Sequence, residues 1–198
     1  PELLVADIKN IQRYIPGPIF VLNDFLQAGE EYTRAFIEGL GKLGLKNPIG
    51  FELFRPPHES LYELMAANLP DWSVEVSAES HDDDVRRAFG KPYTSEALIE
   101  SIQTAFGYGA SRFDLYFMTG IPTQTAQSVL DTVAWTEELY ARCNNDKRLL
   151  AFTSPMAPFL DPGSLVFDNP EKYGYTMRAR TLEEEREKDV VEAFLINE

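Results

Sequence analysis

Apolar residues recur along the chain in two alternating periods, one helical and one extended. Leu4, Ile8 and Ile11 stripe Glu2 to Arg13 as a helix, which Pro16, Gly17 and Pro18 stop. Ile19 to Leu22 then reads as a short apolar strand. Tyr32, Phe36, Leu40 and Leu43 predict a helix from about Gly29 to Leu43, with Gly44 as its terminator. Ile49 to Phe54 is the second strand, and Pro56-Pro57 opens a helix striped by Leu61, Leu64, Met65 and Leu69. Ser73 to Glu79 is the third strand. A short helix with Val85, Ala88 and Phe89 follows, ended by Gly90 and Pro92, and Thr94 caps a longer one bearing Leu98, Ile102 and Phe106. In the fourth strand, Arg112 to Thr119, apolar Phe113, Leu115 and Phe117 alternate with Asp114, Tyr116 and Met118. Gly120 and Pro122 end that ladder, and a helix starting at Thr123 to Thr125 carries Val129, Val133 and Trp135 as far as Arg142. Leu149 to Thr153 is the fifth strand. Pro155, Pro158, Pro162-Gly163 and Asn169-Pro170 then mark a long loop across the mouth of the fold, and Glu183 to Glu187 open a last helix with Val190, Val191, Phe194 and Leu195.

Strand and helix alternate with no hairpin signal between strands, which argues for right-handed crossovers, a parallel sheet and the α/β class. A barrel and an open doubly wound sheet both satisfy that order. The third strand separates them: Val74, Val76 and Ala78 share one face, Ser73, Glu75, Ser77 and Glu79 the other. Helices on both faces would bury those carboxylates, which is expensive without partners. A partial TIM-like (β/α) barrel removes the conflict by turning the polar face into the lumen. Glu52 and Asp114 fall on that face of neighbouring strands, with Arg55 and Arg112 as candidate counter-charges.

The 198 residues suit a single domain spanning the whole chain, 44% hydrophobic and 25% charged. No apolar run reaches the length of a membrane span. The net charge of -14 repels phosphate backbones and acidic lipid, so neither nucleic acid nor membrane is an expected direct partner. Cys143 is the single cysteine, which excludes an internal disulfide or a multi-thiolate metal site and fits a cytoplasmic protein. Pro1 replaces an initiator Met and no signal segment follows, so the chain is expected to be cut from a longer protein. An edge strand left unpaired by that cut predicts self-association.

Isolated reactive groups carry little. His58 at a helix start and His81 beside Asp82 to Asp84 lack a second His or Cys at ligand spacing, and Cys143 reads as a thiol past a helix end. Glu75 and Glu79 stand roughly 13 Å apart along a strand, too far for a glycosidase pair. Tyr116 and Phe152 fit an adenine pocket or the core. A metal-independent aldolase would need a lysine at a strand end, and Lys91 and Lys147 both fall in loops. The Gly120-Ile121-Pro122 turn before a helix is the remaining signal, because amides at a helix start can face an anion.

Three segments taken together resemble a known family. Ser73-Val-Glu-Val-Ser-Ala-Glu-Ser80, followed by Asp82-Asp-Asp-Val-Arg-Arg-Ala-Phe-Gly-Lys91, is similar to the fourth strand and short helix of radical S-adenosylmethionine (radical SAM) enzymes. Phe117-Met-Thr-Gly-Ile-Pro-Thr-Gln-Thr125 resembles their fifth-strand Gly-Leu-Pro-Gly-Glu-Thr turn, and Leu149 to Pro155 takes the sixth-strand position. The resemblance implies strands two to six of a radical SAM barrel with a C-terminal loop and helix. It also implies, in the longer protein, S-adenosylmethionine and a [4Fe-4S] cluster whose Cys-x3-Cys-x2-Cys loop would lie upstream of Pro1. The style of Ser73 to Lys91 resembles the cobalamin-binding subgroup. Carried over residue by residue, Ser77, Glu79 and Ser80 fall among polar contacts to the cofactor, Gly120, Ile121 and Pro122 on its adenine-side turn, and Asn23 and Asp24 at the second-strand tip where the family often recognises the substrate's amino group. Ala78 replaces Gly, His81 departs from Gly, and Thr123 and Gln124 replace Gly and Glu. The alternative is a non-catalytic α/β binding or interaction module that keeps the scaffold without the cluster.

Overall fold

The computed structural model describes residues 1–155, 162–181 and 183–184. Its five strands are β1 (Ile19–Val21), β2 (Ile49–Leu53), β3 (Trp72–Glu79), β4 (Arg112–Thr119) and β5 (Leu149–Pro155). All neighbours run parallel in sequence order. The connecting helices are α1 (Glu2–Tyr14), α2 (Glu30–Leu43), α3 (Glu59–Asn68), α4 (Asp83–Ala88), α5 (Ser95–Gly107) and α6 (Ala126–Arg142). Thr94 caps α5 by accepting from the Ala97 amide, and Gly44 ends α2 in the left-handed region, as their positions predict.

The helices pack against one face of the sheet. Ile49, Phe51, Val74, Val76, Phe113, Leu115 and Leu149 join α2, α3 and α5 residues such as Phe36, Ile37, Tyr62, Met65, Leu98 and Ile102 in one core. The alternate set on the strands, Glu52, Ser73, Glu75, Asp114, Tyr116 and Phe152, stays half-buried or exposed. Strands that keep such residues need a face without a helix layer, and the arc of five strands supplies it. Among the described residues β1 pairs only with β2 and β5 only with β4, so the barrel is partial. The free edge of β1 is the surface on which the expectation of self-association rests. No helix among the described residues is long and apolar enough to cross a membrane.

Differences from the sequence pattern are local. A 3-10 turn at Phe25–Ala28 precedes α2, and beyond β5 lie α7 (Leu165–Asp168) and a 3-10 turn at Pro170–Tyr173. All three are too short for a periodic signal. Arg55 forms no ion pair among the described residues, so Arg112 alone supplies the expected counter-charge. The predicted helix bearing Val190, Val191, Phe194 and Leu195 lies outside the described residues.

Candidate functional site

The candidate residues gather at the C-terminal ends of β1, β3 and β4, where the backbone leaves ordinary strand geometry. Asn23 after β1, Glu79 at the end of β3 and Thr123 beyond β4 all take positive φ, at 70°, 65° and 67°. For residues other than glycine such conformations concentrate at sites where surrounding contacts hold them.

On the open face, register sets Glu52 of β2 opposite Glu75 of β3, and Glu75 opposite Asp114 of β4. Burial, then the charges of Asp114 and Glu52, push the Glu75 carboxyl above its ordinary range, opposed by Arg112. Arg112 Nε donates to both oxygens of Asp114, at 2.7 and 2.8 Å. Glu52 ties the strand tips together, because its Oε2 accepts the Asn23 amide at 2.7 Å and its Oε1 accepts the Ser77 hydroxyl at 3.4 Å. Asn23 and Ser77 thus meet across three strands.

Glu79 does not continue that face. A bulge between Ser77 and Glu79 sets Glu79 opposite Phe117, a residue packed against Trp135 of α6, whereas Ser77 lies opposite Tyr116 of the open face. The Glu79 carboxylate is 6% exposed and accepts from Lys91 Nζ at 2.6 Å through Oε1; the same ammonium donates to the Ser77 carbonyl. Its Oε2 is buried with no hydrogen-bond partner among the described residues. Burial raises the Glu79 carboxyl above its usual range, against the charge and hydrogen bond of Lys91, and Glu52 adds to the rise. Lys91 also lies over the Phe54 ring and, with Asp24, Arg55 and Tyr93, lines a cleft of about 510 Å³. Its place in a Gly-Pro loop hides this from the sequence; the fold delivers its ammonium to the end of β3.

The other predicted residues take supporting roles. Asp24 is buried, with Oδ1 accepting the Leu26 amide at 3.0 Å and Oδ2 the Phe54 amide at 3.3 Å, so both oxygens hold the β1 and β2 tips. Ser80 is fully buried; its Oγ accepts the Asp82 amide and its carbonyl accepts from Arg86. Ile121 is buried below the Gly120–Pro122 turn. His58 caps α3 through Nδ1, His81 Nδ1 meets Thr132 Oγ1 at 2.8 Å, and Cys143 is buried at the end of α6. Burial leads the lowering of His81 and the raising of the Cys143 thiol. Tyr116 and Phe152 pair across β4 and β5 on the open face, outside the core. No group of three or more His, Cys, Asp or Glu among the described residues could hold a metal.

The turn after β4 has a shape its sequence disfavours. The Gln124 amide donates to the Ile121 carbonyl at 3.2 Å across Pro122 and Thr123, and Thr123 holds φ at 67°. That is the pattern of a type II turn, whose third position suits glycine and strains a β-branched residue. Thr123→Gly should therefore raise stability by about 1 kcal/mol, the low end of strain at such sites. Urea denaturation checks it; unchanged or lower stability would show that the threonine is not strained.

No protein-family model matches the chain, and no curated protein does. Among solved structures, the archaeal Methanocaldococcus infernus Elp3 with an N-terminal deletion (1-46) is similar over 85% of this chain, with a TM-score of 0.55 and 11% identity. The fold is a partial TIM-like α/β barrel. This chain spans 44% of that Elp3 chain. The apo, selenomethionine-labelled cobalamin-dependent S-adenosylmethionine radical enzyme OxsB is similar over 74% of this chain and 26% of its own, with a TM-score of 0.49 and 16% identity.

Proposed function

We propose that this chain forms the S-adenosylmethionine-binding part of a radical SAM barrel, with the cluster ligands supplied from outside it. The observation that carries the reading is Glu79 Oε2 at the end of β3, a buried acceptor with no hydrogen-bond partner among the described residues. A buried oxygen of this kind calls for a donor, and the ribose hydroxyls and ammonium of S-adenosylmethionine are donors. Ser77 and Asn23, joined through Glu52, offer further polar groups, and the Gly120–Pro122 turn offers backbone groups on the adenine side. When bound beside a [4Fe-4S] cluster, S-adenosylmethionine supplies adenosyl-radical chemistry. With one cysteine this chain does not fit the cluster, and none of its residues is assigned to the cobalamin that the subgroup resemblance implies. Its own contribution is to bind and orient: Lys91 holds Glu79 in place, Glu52 ties the tips of β1 and β3, and the bulge keeps the carboxylate out of water.

One observation favours the non-catalytic binding module instead: Lys91 already pairs with Glu79, so the strand tip is partly satisfied by the chain itself. Calorimetric titration of the chain with S-adenosylmethionine separates the readings. Binding is expected, and Ser77→Ala or Glu79→Gln should each weaken it by about 1–3 kcal/mol through loss of a polar partner. Val76→Ala, buried on the helix side, should lower stability and leave the affinity of the folded chain unchanged. A folded wild type that binds none of it would favour the module.

A further inference from the structure

The Gln124 side chain closes a ring around the turn after β4. Its Oε1 accepts the Gly120 amide at 2.8 Å and its Nε2 donates to the Met118 carbonyl at 3.0 Å. Between these anchors and Gln124 itself lies the turn, which includes Gly120 at φ 81° and the strained Thr123, while the Gly120 carbonyl accepts the hydroxyl of Tyr175. The last residues of β4 and the whole turn are thus held by one primary amide used in both directions. We infer that Gln124 is a positioning residue, which pre-forms the Gly120–Thr123 turn for a ligand bound at the β4 tip. This inference rests on the reading that S-adenosylmethionine is that ligand.

In this chain the amide makes both contacts at once. A carboxylate of the same shape can accept from Gly120 but has no hydrogen to give Met118, and it sets negative charge against that carbonyl. A protonated carboxyl has both an acceptor and a donor. Gln124→Glu therefore breaks the ring only when ionised, whereas Gln124→Ala breaks it at every pH.

The experiment titrates S-adenosylmethionine into wild type, Gln124→Ala and Gln124→Glu at a series of pH values, each affinity taken relative to wild type at the same pH. Gln124→Ala should bind about tenfold more weakly throughout, the effect of losing ordinary hydrogen bonds that hold the turn. Gln124→Glu should show a similar loss near pH ~8 and regain affinity towards pH ~4, as its carboxyl takes up a proton. Amide hydrogen exchange at Gly120 should follow the same pattern without ligand. A wild type that binds while Gln124→Ala binds equally well, or Gln124→Glu with no recovery at low pH, overturns the positioning role and leaves the cofactor reading standing. A folded wild type that fails to bind overturns the cofactor reading, and the ligand role of Gln124 with it.

Discussion

Replacing Arg86 with alanine should destabilise the fold by about 3–5 kcal/mol, because a fully buried side chain and its several hydrogen bonds are lost together. Arg86 is 0% exposed. Its Nε donates to the Tyr93 carbonyl at 2.9 Å, and one terminal nitrogen to the carbonyls of Ser80 and His81 at 2.6 and 3.3 Å. The other terminal nitrogen meets Asp83 and the Ser95 hydroxyl, and the guanidinium carbon lies 4.9 Å from the Tyr93 ring centre. One side chain thereby fastens the end of β3, the start of α4 and the loop into α5. Alanine would leave a cavity and loop carbonyls that only a forked donor can reach together. Arg86→Lys should recover part of the loss, since an ammonium keeps the charge but cannot span the same set. Urea denaturation of the three proteins measures this. A loss below about 1 kcal/mol for Arg86→Ala would mean that water replaces the guanidinium freely, contrary to its burial.

The sequence makes some of this legible and hides the rest for reasons that differ by residue. β4 was readable to its ends because alternation and a Gly-Pro stop are local signals, and β3 announced a helix-free face because Ser73, Glu75 and Ser77 cannot all be buried cheaply. The alternation fails at Glu79, since a bulge depends on the register with β4 and leaves no local mark. Arg86 and Arg87 look alike in sequence, each three residues after an aspartate that pairs with it, yet one is fully buried and the other has 62% of its side chain exposed. Only the packing of the β3–α5 connection tells them apart. Asp24 shows the opposite case. An aspartate just before a turn is a common cap, and the structure uses it as one, with both oxygens bound to backbone amides. Gln124, read as a departure from Glu, is an amide whose two functions emerge only once the turn has closed.

Lys91→Met should destabilise the chain by about 3 kcal/mol near neutral pH, because it removes the partner of a buried carboxylate while keeping most of the apolar stem. The loss should depend on pH in a defined direction. Burial already holds the folded pKa of Glu79 above the ordinary 4.5, even against Lys91. A raised carboxyl keeps its proton in the folded chain at pH values where the unfolded chain has lost it, so stability falls as pH rises through that window. Without Lys91 both lowering influences vanish, and the window extends upward. The gap between variant and wild type should therefore be largest above the new folded pKa and narrow as pH falls towards the ordinary value, where Glu79 is protonated and needs no counter-charge. Adding Glu79→Gln to Lys91→Met should remove most of the pH dependence and restore part of the stability, since the uncompensated charge is gone. Urea midpoints of the wild type, the single variant and the double variant across pH provide the comparison. A loss that stays the same at every pH would assign Lys91 to packing over Phe54, with its ammonium 5.1 Å from the ring centre, rather than to the charge of Glu79.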